Sequence, residues 1–286
     1  GWEHPLWFAD APGTEDTNGF ARQNWFEPVG REAAMLRDAV GVIDISNFGK
    51  YEVTGPGAGD WLDALVANHV PREIGKSCLT PLIGMRGGVA GDFTVTMTGD
   101  ESYMMIGSGM AERYHRRFFD MVPLPDGTGF EVATPRIAGF NVAGPRSREM
   151  LAGLTDADLS NEGWRFMRSR RIAVGGVDCL AIRVSFTGDL GWELHCAVGD
   201  QVVLYETLLE AAAAHGGGPV GGRALGALRI EKGYGSWGRE YSPEYWPQEA
   251  GLHGLIKLDK DFLNKEAYLK ISNTPPRESL TMFEVN

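Results

Sequence analysis

Two segments of the sequence, VTGPGAGDWLDAL from Val53 and VAGPRSREMLAGL from Val142, share the pattern V-x-G-P-x5-L-x-x-L. In each segment an extended run ends at Gly-Pro and an amphipathic stretch follows, which predicts a strand and then a helix. The apolar residues expected to face a core are Trp61, Leu62, Leu65, Met150, Leu151 and Leu154. Strand, Gly-Pro and helix form a common local arrangement, but the matched leucines favour a duplicated lobe.

Hydrophobic periodicity elsewhere in the chain alternates in the same way. Helices are predicted over 32–39, 110–121, 202–214 and 222–231, and strands over 51–53, 93–97, 103–106, 137–142, 171–174 and 179–185. The sequence therefore predicts an α+β fold with two similar strand-helix lobes, rather than a doubly wound fold.

Length and composition limit the function classes. The 286 residues exceed the usual single core of about 100 to 200 residues, so two lobes, or one elaborate domain, are expected. The net charge of −11 argues against nucleic acid or an anionic membrane as a general partner. No apolar run approaches the roughly 20 residues that span a bilayer. Three widely separated cysteines indicate neither a disulfide framework nor a thiolate metal site, and a reducing, cytoplasmic location is expected.

Residues 1–30 read as an N-terminal extension. They lack the basic and then apolar order of a secretory signal, and Pro12, Gly13 and Gly19 mark turns. The apolar residues Trp2, Trp7 and Phe8 could dock on this chain or on a partner. Packing on the chain's own lobe is the favoured interpretation.

The stretch GMRGGVAGDFTVTM, residues 84–97, places four glycines before a single acid, Asp92, at the mouth of a β-branched strand. Glycines allow a backbone to approach a ligand closely, and a lone carboxylate at a strand edge can take a ligand proton. A hairpin turn with a solvated Asp92 explains the pattern equally well. A phosphate loop is excluded, because the GK[ST] sequence is absent.

A second acid lies in RVSFTGDLGWELHC, residues 183–196. An alternating strand leads into the turn Gly188–Gly191, and Glu193 then stands between Trp192 and Leu194. Such a carboxylate between two large apolar residues suits either ligand binding or an ion pair with Arg183 or Arg229.

A third stretch, LRIEKGYGSWGREYSPEYWPQEAGL, residues 228–252, combines Arg229 with five aromatic residues and Glu249. Aromatic rings beside an arginine suit a flat, conjugated ligand with an anionic tail. The alternative is a long loop that uses its rings as a small core of its own.

Histidines 69, 115 and 215 do not have metal-ligand spacing, and we expect no metal and no functional role for them.

These motifs together carry a family resemblance. VIDISNFGKYEVTGPGA, GGVAGDFTV, NVAGPRSREML, SFTGDLGWELH and LRIEKGYGSWG resemble, in order and spacing, the glycine-cleavage T-protein (aminomethyltransferase) superfamily. The resemblance covers residues 25–270. GWEHPLWFA, GYGSWG and GDLGWELH are most similar to the folate-binding C-terminal portion of dimethylglycine and sarcosine dehydrogenases, which carry a flavin domain ahead of it.

The resemblance implies tetrahydrofolate in a central channel between the lobes, where it accepts a one-carbon unit. By motif position, Asp92 is implied as the catalytic carboxylate near the reacting nitrogens, and Glu193 as the acid that pairs with the pterin ring. The other residues expected to bind the cofactor are Trp192, Arg229, Tyr234 and Trp237.

The chain also departs from the family. T-proteins usually have an Asp pair where this chain has Gly91 and Asp92, and a Tyr where it has Leu79. The lobes are predicted at 31–140 and 141–272, and 273–286 would begin a C-terminal β lobe that is largely missing. We expect an open channel as a result.

Three functions remain open at this stage. The first is one-carbon transfer to tetrahydrofolate from an N-methyl amine or its iminium, with a flavin dehydrogenase domain or subunit as partner. The second is a folate-dependent demethylase or methyltransferase for an O-methyl or S-methyl substrate. The third is a non-catalytic folate-binding module, which is disfavoured because the K-G-C-Y-x-G-Q-E type signature is absent.

Overall fold

The computed structural model describes residues 3–284 of the chain, which form two compact units. Unit 1 comprises the described residues up to Asn47 together with Pro135–Tyr234, and unit 2 comprises Phe48–Thr134 together with the described residues from Gly235 onward. Each unit is thus assembled from two separate segments of the chain. The lobe limits at 31–140 and 141–272 stay a prediction, and Trp2 lies outside the described residues.

The strands are β1 (Gly41–Asp44), β2 (Gly49–Thr54), β3 (Ser77–Ile83), β4 (Val89–Gly99), β5 (Ser102–Gly107), β6 (Gly129–Val132), β7 (Ile137–Ala143), β8 (Ser169–Val174), β9 (Val177–Ile182), β10 (Gly191–Ala197) and β11 (Gly218–Pro219). The α-helices are α1 (Phe26–Asp38), α2 (Ala58–Leu65), α3 (Glu112–Phe119), α4 (Ser147–Ala152), α5 (Gln201–Ala214), α6 (Gly222–Glu231) and α7 (Lys265–Ser272). Short 3-10 turns span Gly109–Ala111, Val198–Asp200 and His253–Leu255.

Each unit is built on one sheet. Unit 1 holds a six-stranded sheet in the order β11-β1-β7-β10-β9-β8, and unit 2 holds a five-stranded sheet in the order β3-β4-β5-β2-β6. Apart from the parallel β1–β11 pair, the pairings are antiparallel. This arrangement confirms the predicted α+β class.

The repeated Gly-Pro segment falls once in each unit and forms the predicted strand and helix, β2–α2 and β7–α4. Its glycines have positive φ angles, +97° at Gly55 and +127° at Gly144. A Cβ atom at Gly55 would lie 2.3 Å from the carbonyl oxygen of Gly127, and one at Gly144 would lie 2.4 Å from that of Leu36. The motif is therefore glycine-specific at both positions for steric reasons.

Several element boundaries differ from the predictions. The helix predicted from residue 110 divides into a 3-10 turn and α3, and β4 begins at Val89 rather than at 93. The strand predicted to reach residue 185 ends at Ile182, because the N–H of Val184 donates to the carbonyl of Ile182 at 2.9 Å and turns the chain out of the sheet.

The N-terminal extension packs on unit 1. Glu32 of α1 accepts hydrogen bonds from the N–H groups of Phe8 and Gly221, both at 2.7 Å, and Asp16 accepts one from Trp7 at 2.6 Å. These contacts support packing on the chain's own unit.

The described residues that follow α7, 273–284, contain no helix or strand. Among the described residues, no helix combines the length and apolar character needed to cross a bilayer.

Candidate functional site

Asp92 lies inside β4, opposite Pro81 of β3, and is partly buried. Within residues 3–284, no other residue forms a hydrogen bond or ion pair with its carboxylate. Burial raises the pKa of Asp92 to about 6, and a hydrogen bond from its own backbone N–H opposes this rise. Asp92 therefore has the ionisation expected of a proton acceptor near neutral pH.

The face of β4 opposite to Asp92 is closely packed. A Cβ atom at Gly91 would lie 2.8 Å from Nε2 of His115, and one at Gly107 would lie 2.5 Å from the ring of Phe93. Any larger side chain at position 91 would collide with His115. The space at Gly91 therefore leaves little room for the second Asp that T-proteins are expected to have at this position.

Leu79 occupies the position where a tyrosine was expected from the resemblance. It pairs with Thr94, two residues beyond Asp92, so that Leu79, Pro81 and Asp92 share one face of the unit 2 sheet. Leu79 is 47% exposed. An apolar side chain, in place of the expected tyrosine, thus shares this face with Asp92.

The glycines before Asp92 pack against the chain itself. A Cβ atom at Gly88 would lie 2.1 Å from the carbonyl oxygen of Pro243, and one at Gly87 would lie 2.7 Å from Ile271. The β3–β4 turn is therefore a hairpin whose glycines serve internal packing. The hairpin of the alternative interpretation is present, but Asp92 lies in the strand and is partly buried rather than solvated in the turn.

Glu193 lies on β10 of unit 1, paired with Asn141 of β7 and Ile182 of β9, and is buried. Its Oε2 atom is 3.4 Å from Nε2 of His195, which is also buried. Because side chains alternate along a strand, Glu193 and His195 share one face of the sheet. That two-residue spacing was visible in the sequence, but His195 was not predicted as a site residue.

A polar network continues from this pair on the same unit. The amide of Asn141 donates to the carbonyl of Trp192 at 3.2 Å, and its oxygen accepts from Ser185 at 3.1 Å. The hydroxyls of Ser185 and Thr187 are 2.8 Å apart. These buried groups were missed from the sequence because strand register, not local spacing, brings them beside Glu193.

The alternative in which Glu193 forms an ion pair with Arg183 is not supported. Arg183 donates to the carbonyl of Trp164 and, at 2.6 Å, to Oδ1 of Asn161. In the described part of the chain, His195 is the side chain within ion-pair distance of Glu193.

Trp192 points to the other face of β10. It is fully buried and packs edge-on against Trp164, with ring centroids 6.3 Å apart. Trp192 and the fully buried Leu194 therefore support Glu193 indirectly, because they pack the strand that carries it.

Arg229 and Tyr234 are also in unit 1. Arg229 is buried, and its Nη1 donates to the carbonyl of Tyr234 at 2.9 Å. The ring of Tyr234 stacks on Phe186 with centroids 6.4 Å apart and planes inclined by 17°. This half-exposed pair is the kind of surface on which a flat ring can stack.

Trp237 belongs to unit 2. Its ring lies 5.3 Å from both Tyr114 and His115. In the same loop the ring of Trp246 lies under the guanidinium of Arg277, at 4.4 Å. Much of the aromatic stretch therefore packs within unit 2, as the small-core alternative expected.

Each unit thus contains one candidate carboxylate site. Asp92 and Trp237 are in unit 2, and Glu193, Trp192, Arg229 and Tyr234 are in unit 1. Among the described residues, no group of His, Cys, Asp or Glu side chains could hold a metal ion.

Comparisons with known proteins agree with this architecture. Residues 1–260 match the GCVT N-terminal domain family. The chain is 35% identical to mouse dimethylglycine dehydrogenase over all of its own length and 33% of that protein. It is 30% identical to an aminomethyltransferase of Thermoanaerobacter sp. (strain X514), covering 94% of this chain and 74% of that one.

A solved structure shows the same fold. The aminomethyltransferase T of the glycine cleavage system from Bartonella henselae superposes with a TM-score of 0.78 at 21% identity, over 92% of this chain and 72% of that chain. This chain spans about a third of the length of the dimethylglycine dehydrogenases that it matches. The chain therefore belongs to the GCVT family, whose members include folate-dependent aminomethyltransferases.

Proposed function

We propose that this chain transfers a one-carbon unit from an N-methyl amine, or from its oxidised iminium, to tetrahydrofolate. The observation that carries the proposal is the state of Asp92, a partly buried carboxylate with a pKa of about 6 and no partner among the described side chains. A group in this state can accept the proton that a nitrogen nucleophile loses.

The residues of unit 1 fit a pterin ring. Glu193 offers a carboxylate on a polar sheet face, which can accept two adjacent N–H donors in a bidentate pair. The network of Asn141 and Ser185 limits the movement of the strand that carries it. Tyr234 and Phe186 provide a stacked aromatic surface, and Arg229 adds a buried cation in the same unit.

Tetrahydrofolate, when bound, supplies the nitrogen atoms that accept the one-carbon unit. The protein has little covalent work of its own, because an iminium carbon is already electrophilic. Asp92 would take the proton that the attacking nitrogen loses and return it to the demethylated amine, which leaves as its bond to the one-carbon unit breaks. Glu193 would orient the pterin, and Trp192 and Trp237 would hold the surrounding segments in place. Orientation of the reactants would account for most of the rate.

Three relatives support an N-methyl amine as the donor. Besides dimethylglycine dehydrogenase, the chain is 30% identical to human sarcosine dehydrogenase, over 93% of this chain. It is 31% identical to 4-methylaminobutanoate oxidase (formaldehyde-forming) of Paenarthrobacter nicotinovorans, over 96% of this chain. We propose a flavin dehydrogenase domain or subunit as the source of the iminium, in the cytoplasm or in the compartment that this partner occupies.

The test adds this chain and tetrahydrofolate to a flavin dehydrogenase that oxidises dimethylglycine or sarcosine and lacks its own folate portion. Released formaldehyde should fall, and methylenetetrahydrofolate should rise by the same amount. Unchanged formaldehyde release with both donors would contradict the proposal. Transfer from O-methyl or S-methyl donors instead would identify a demethylase, and folate binding without transfer would identify a binding module.

A further inference from the structure

A groove on unit 2 lies between the β3–β4 hairpin and α3. It encloses about 270 Å³ and is lined chiefly by Met85, Arg86, Tyr114, Arg117, Phe118 and Met121. We call these six residues the basic groove. None of them is a predicted site residue, although the ring of Tyr114 packs against that of Trp237.

The charge of the basic groove is unbalanced. Arg86 and Arg117 are exposed, and neither has an acidic partner within residues 3–284. The acids of α3 and its end are already engaged, since Asp120 pairs with Arg116 at 2.7 Å and Glu112 accepts a hydrogen bond from Thr134 at 2.5 Å. Two unneutralised guanidinium groups therefore face solvent on a chain whose net charge is −11.

The same groove exposes apolar side chains. Met85 is 66% exposed and Met121 is 47% exposed, whereas Phe118 is buried beneath them. Methionine and arginine are enriched at protein interfaces, and unbranched methionine adapts its shape to an apolar partner residue. The basic groove thus offers apolar contact between two cations.

The hairpin that carries Met85 and Arg86 is held rigidly. Gly87 has a φ of +86°, and a Cβ atom there would lie 2.8 Å from the carbonyl oxygen of Ala267. The N–H of Gly87 also donates to Gly84 at 2.9 Å. A tip held in this way loses little conformational freedom when a partner binds.

We propose that the basic groove binds an acidic peptide segment of a partner protein, in which an apolar side chain is flanked by carboxylates. The apolar side chain would lie between Met85 and Met121, and the carboxylates would pair with Arg86 and Arg117. Nucleic acid is disfavoured as the occupant, because its phosphate backbone would extend beyond the two arginines onto the rest of this acidic chain, which would repel it. A short acidic segment would contact the groove alone. An acidic segment would be drawn to this groove and turned away from the acidic surface elsewhere.

The probe for the test is a fluorescein-labelled peptide with one central leucine between runs of glutamate, titrated against the intact chain by fluorescence anisotropy. The Arg86→Gln/Arg117→Gln variant should weaken binding about tenfold or more, and added salt should weaken binding to the original chain. The control variant, Arg165→Gln/Arg171→Gln, removes the same charge from exposed positions of unit 1 and should bind as the original chain does.

Two further peptides separate charge from shape. A peptide with glutamine in place of glutamate should bind about tenfold more weakly, and one with glycine in place of leucine should bind several-fold more weakly. The proposal is overturned if the acidic peptide shows no saturable binding, or if the groove and control variants bind it equally. It is also overturned if the glycine peptide or inorganic phosphate binds as well as the leucine peptide, since the groove would then hold only small anions.

Discussion

Asp92 and Glu193 are carboxylates on antiparallel strands of the two units, and their surroundings differ. Asp92 lies among Pro81 and Leu79 and has no partner among the described residues. Glu193 is more deeply buried and lies within a polar network that includes His195 and Asn141. Environment can give two chemically similar acids different tasks, and we propose proton acceptance for Asp92 and fixed recognition of the pterin for Glu193. Each assignment can be tested by replacing one of these acids or one of its partners.

The largest expected effect is on the transfer rate of Asp92→Asn. Loss of the proton acceptor should lower the rate about 100- to 10,000-fold while the dissociation constant for tetrahydrofolate changes little. With the original chain, the rate should rise with pH up to about 6 and then level off, because the base acts only when deprotonated. Single-turnover rates from pH 4.5 to 8 measure both effects.

Stability provides the control for Asp92→Asn. The folded-state pKa of Asp92 lies above its ordinary value of 3.8, so its ionisation lowers stability as pH rises from about 4 to about 6. Asparagine should therefore raise the unfolding free energy by about 1 kcal/mol at pH 8 and have no effect below pH 4. The exposed Asp100→Asn should alter neither rate nor stability. A normal rate for Asp92→Asn would show that this acid is not the base.

Glu249 provides a comparison with Asp92, because it is a buried acid of the same unit that is fully partnered. It accepts hydrogen bonds from the N–H groups of Trp246 and Arg277 and from the Arg277 guanidinium, at 2.7 to 2.9 Å. Glu249→Gln should lower the unfolding free energy by about 2 to 4 kcal/mol, because a new donor would face these donors. Chemical denaturation at pH 7 measures the change.

The sign of the pH dependence at Glu249 is opposite to that at Asp92. The guanidinium of Arg277 lowers the pKa of Glu249 to about 2, below its ordinary value of 4.5. The stability that this acid contributes is therefore complete above pH 4.5 and is lost as pH falls toward 2. The neighbouring exposed Glu244→Gln serves as the control and should melt like the original chain. Equal stability of the two variants would refute the role of the Glu249–Arg277 pair.

Glu193→Gln should act on affinity rather than on rate. A charge-assisted bidentate pair contributes about 1.5 to 3 kcal/mol, so the dissociation constant for tetrahydrofolate should rise about ten- to a hundredfold. Titration calorimetry under reducing conditions measures this change. The melting temperature should barely move, and the exposed Glu206→Gln should leave the affinity unaltered. Unaltered affinity with lost stability would falsify the pterin assignment.

The sequence was most informative where geometry is local. The Gly-Pro motif predicted both strand-helix units because Gly55 and Gly144 adopt positive φ angles that other residues avoid. The helix predicted at 222–231 has those bounds in the structure. The α+β class followed from this kind of short-range pattern.

The features of the candidate sites that the sequence did not predict depend on contacts between distant parts of the chain. The sequence leaves open whether the glycines at 87 and 88 admit a ligand or form a hairpin turn, and in the structure they pack against Ile271 and Pro243. Asn141 meets Glu193 only through the register of β7 and β10, which no local spacing reveals. His195 could have been predicted from alternation along its strand, once Glu193 was known to face a polar surface.

The smallest expected effect tests whether His195 positions Glu193. Its Nε2 lies 3.4 Å from Oε2 of Glu193, a long contact that we expect to stabilise by about 0.5 to 1 kcal/mol. His195→Ala should therefore weaken tetrahydrofolate binding about two- to fivefold, and His195→Gln, which keeps an N–H donor, should restore most of that loss. A purely structural role would lower the melting temperature of both variants alike and leave their affinities equal. The exposed His253→Ala is the matched control, and in the Glu193→Gln background the His195→Ala effect on affinity should disappear, because the contact it tests is already broken.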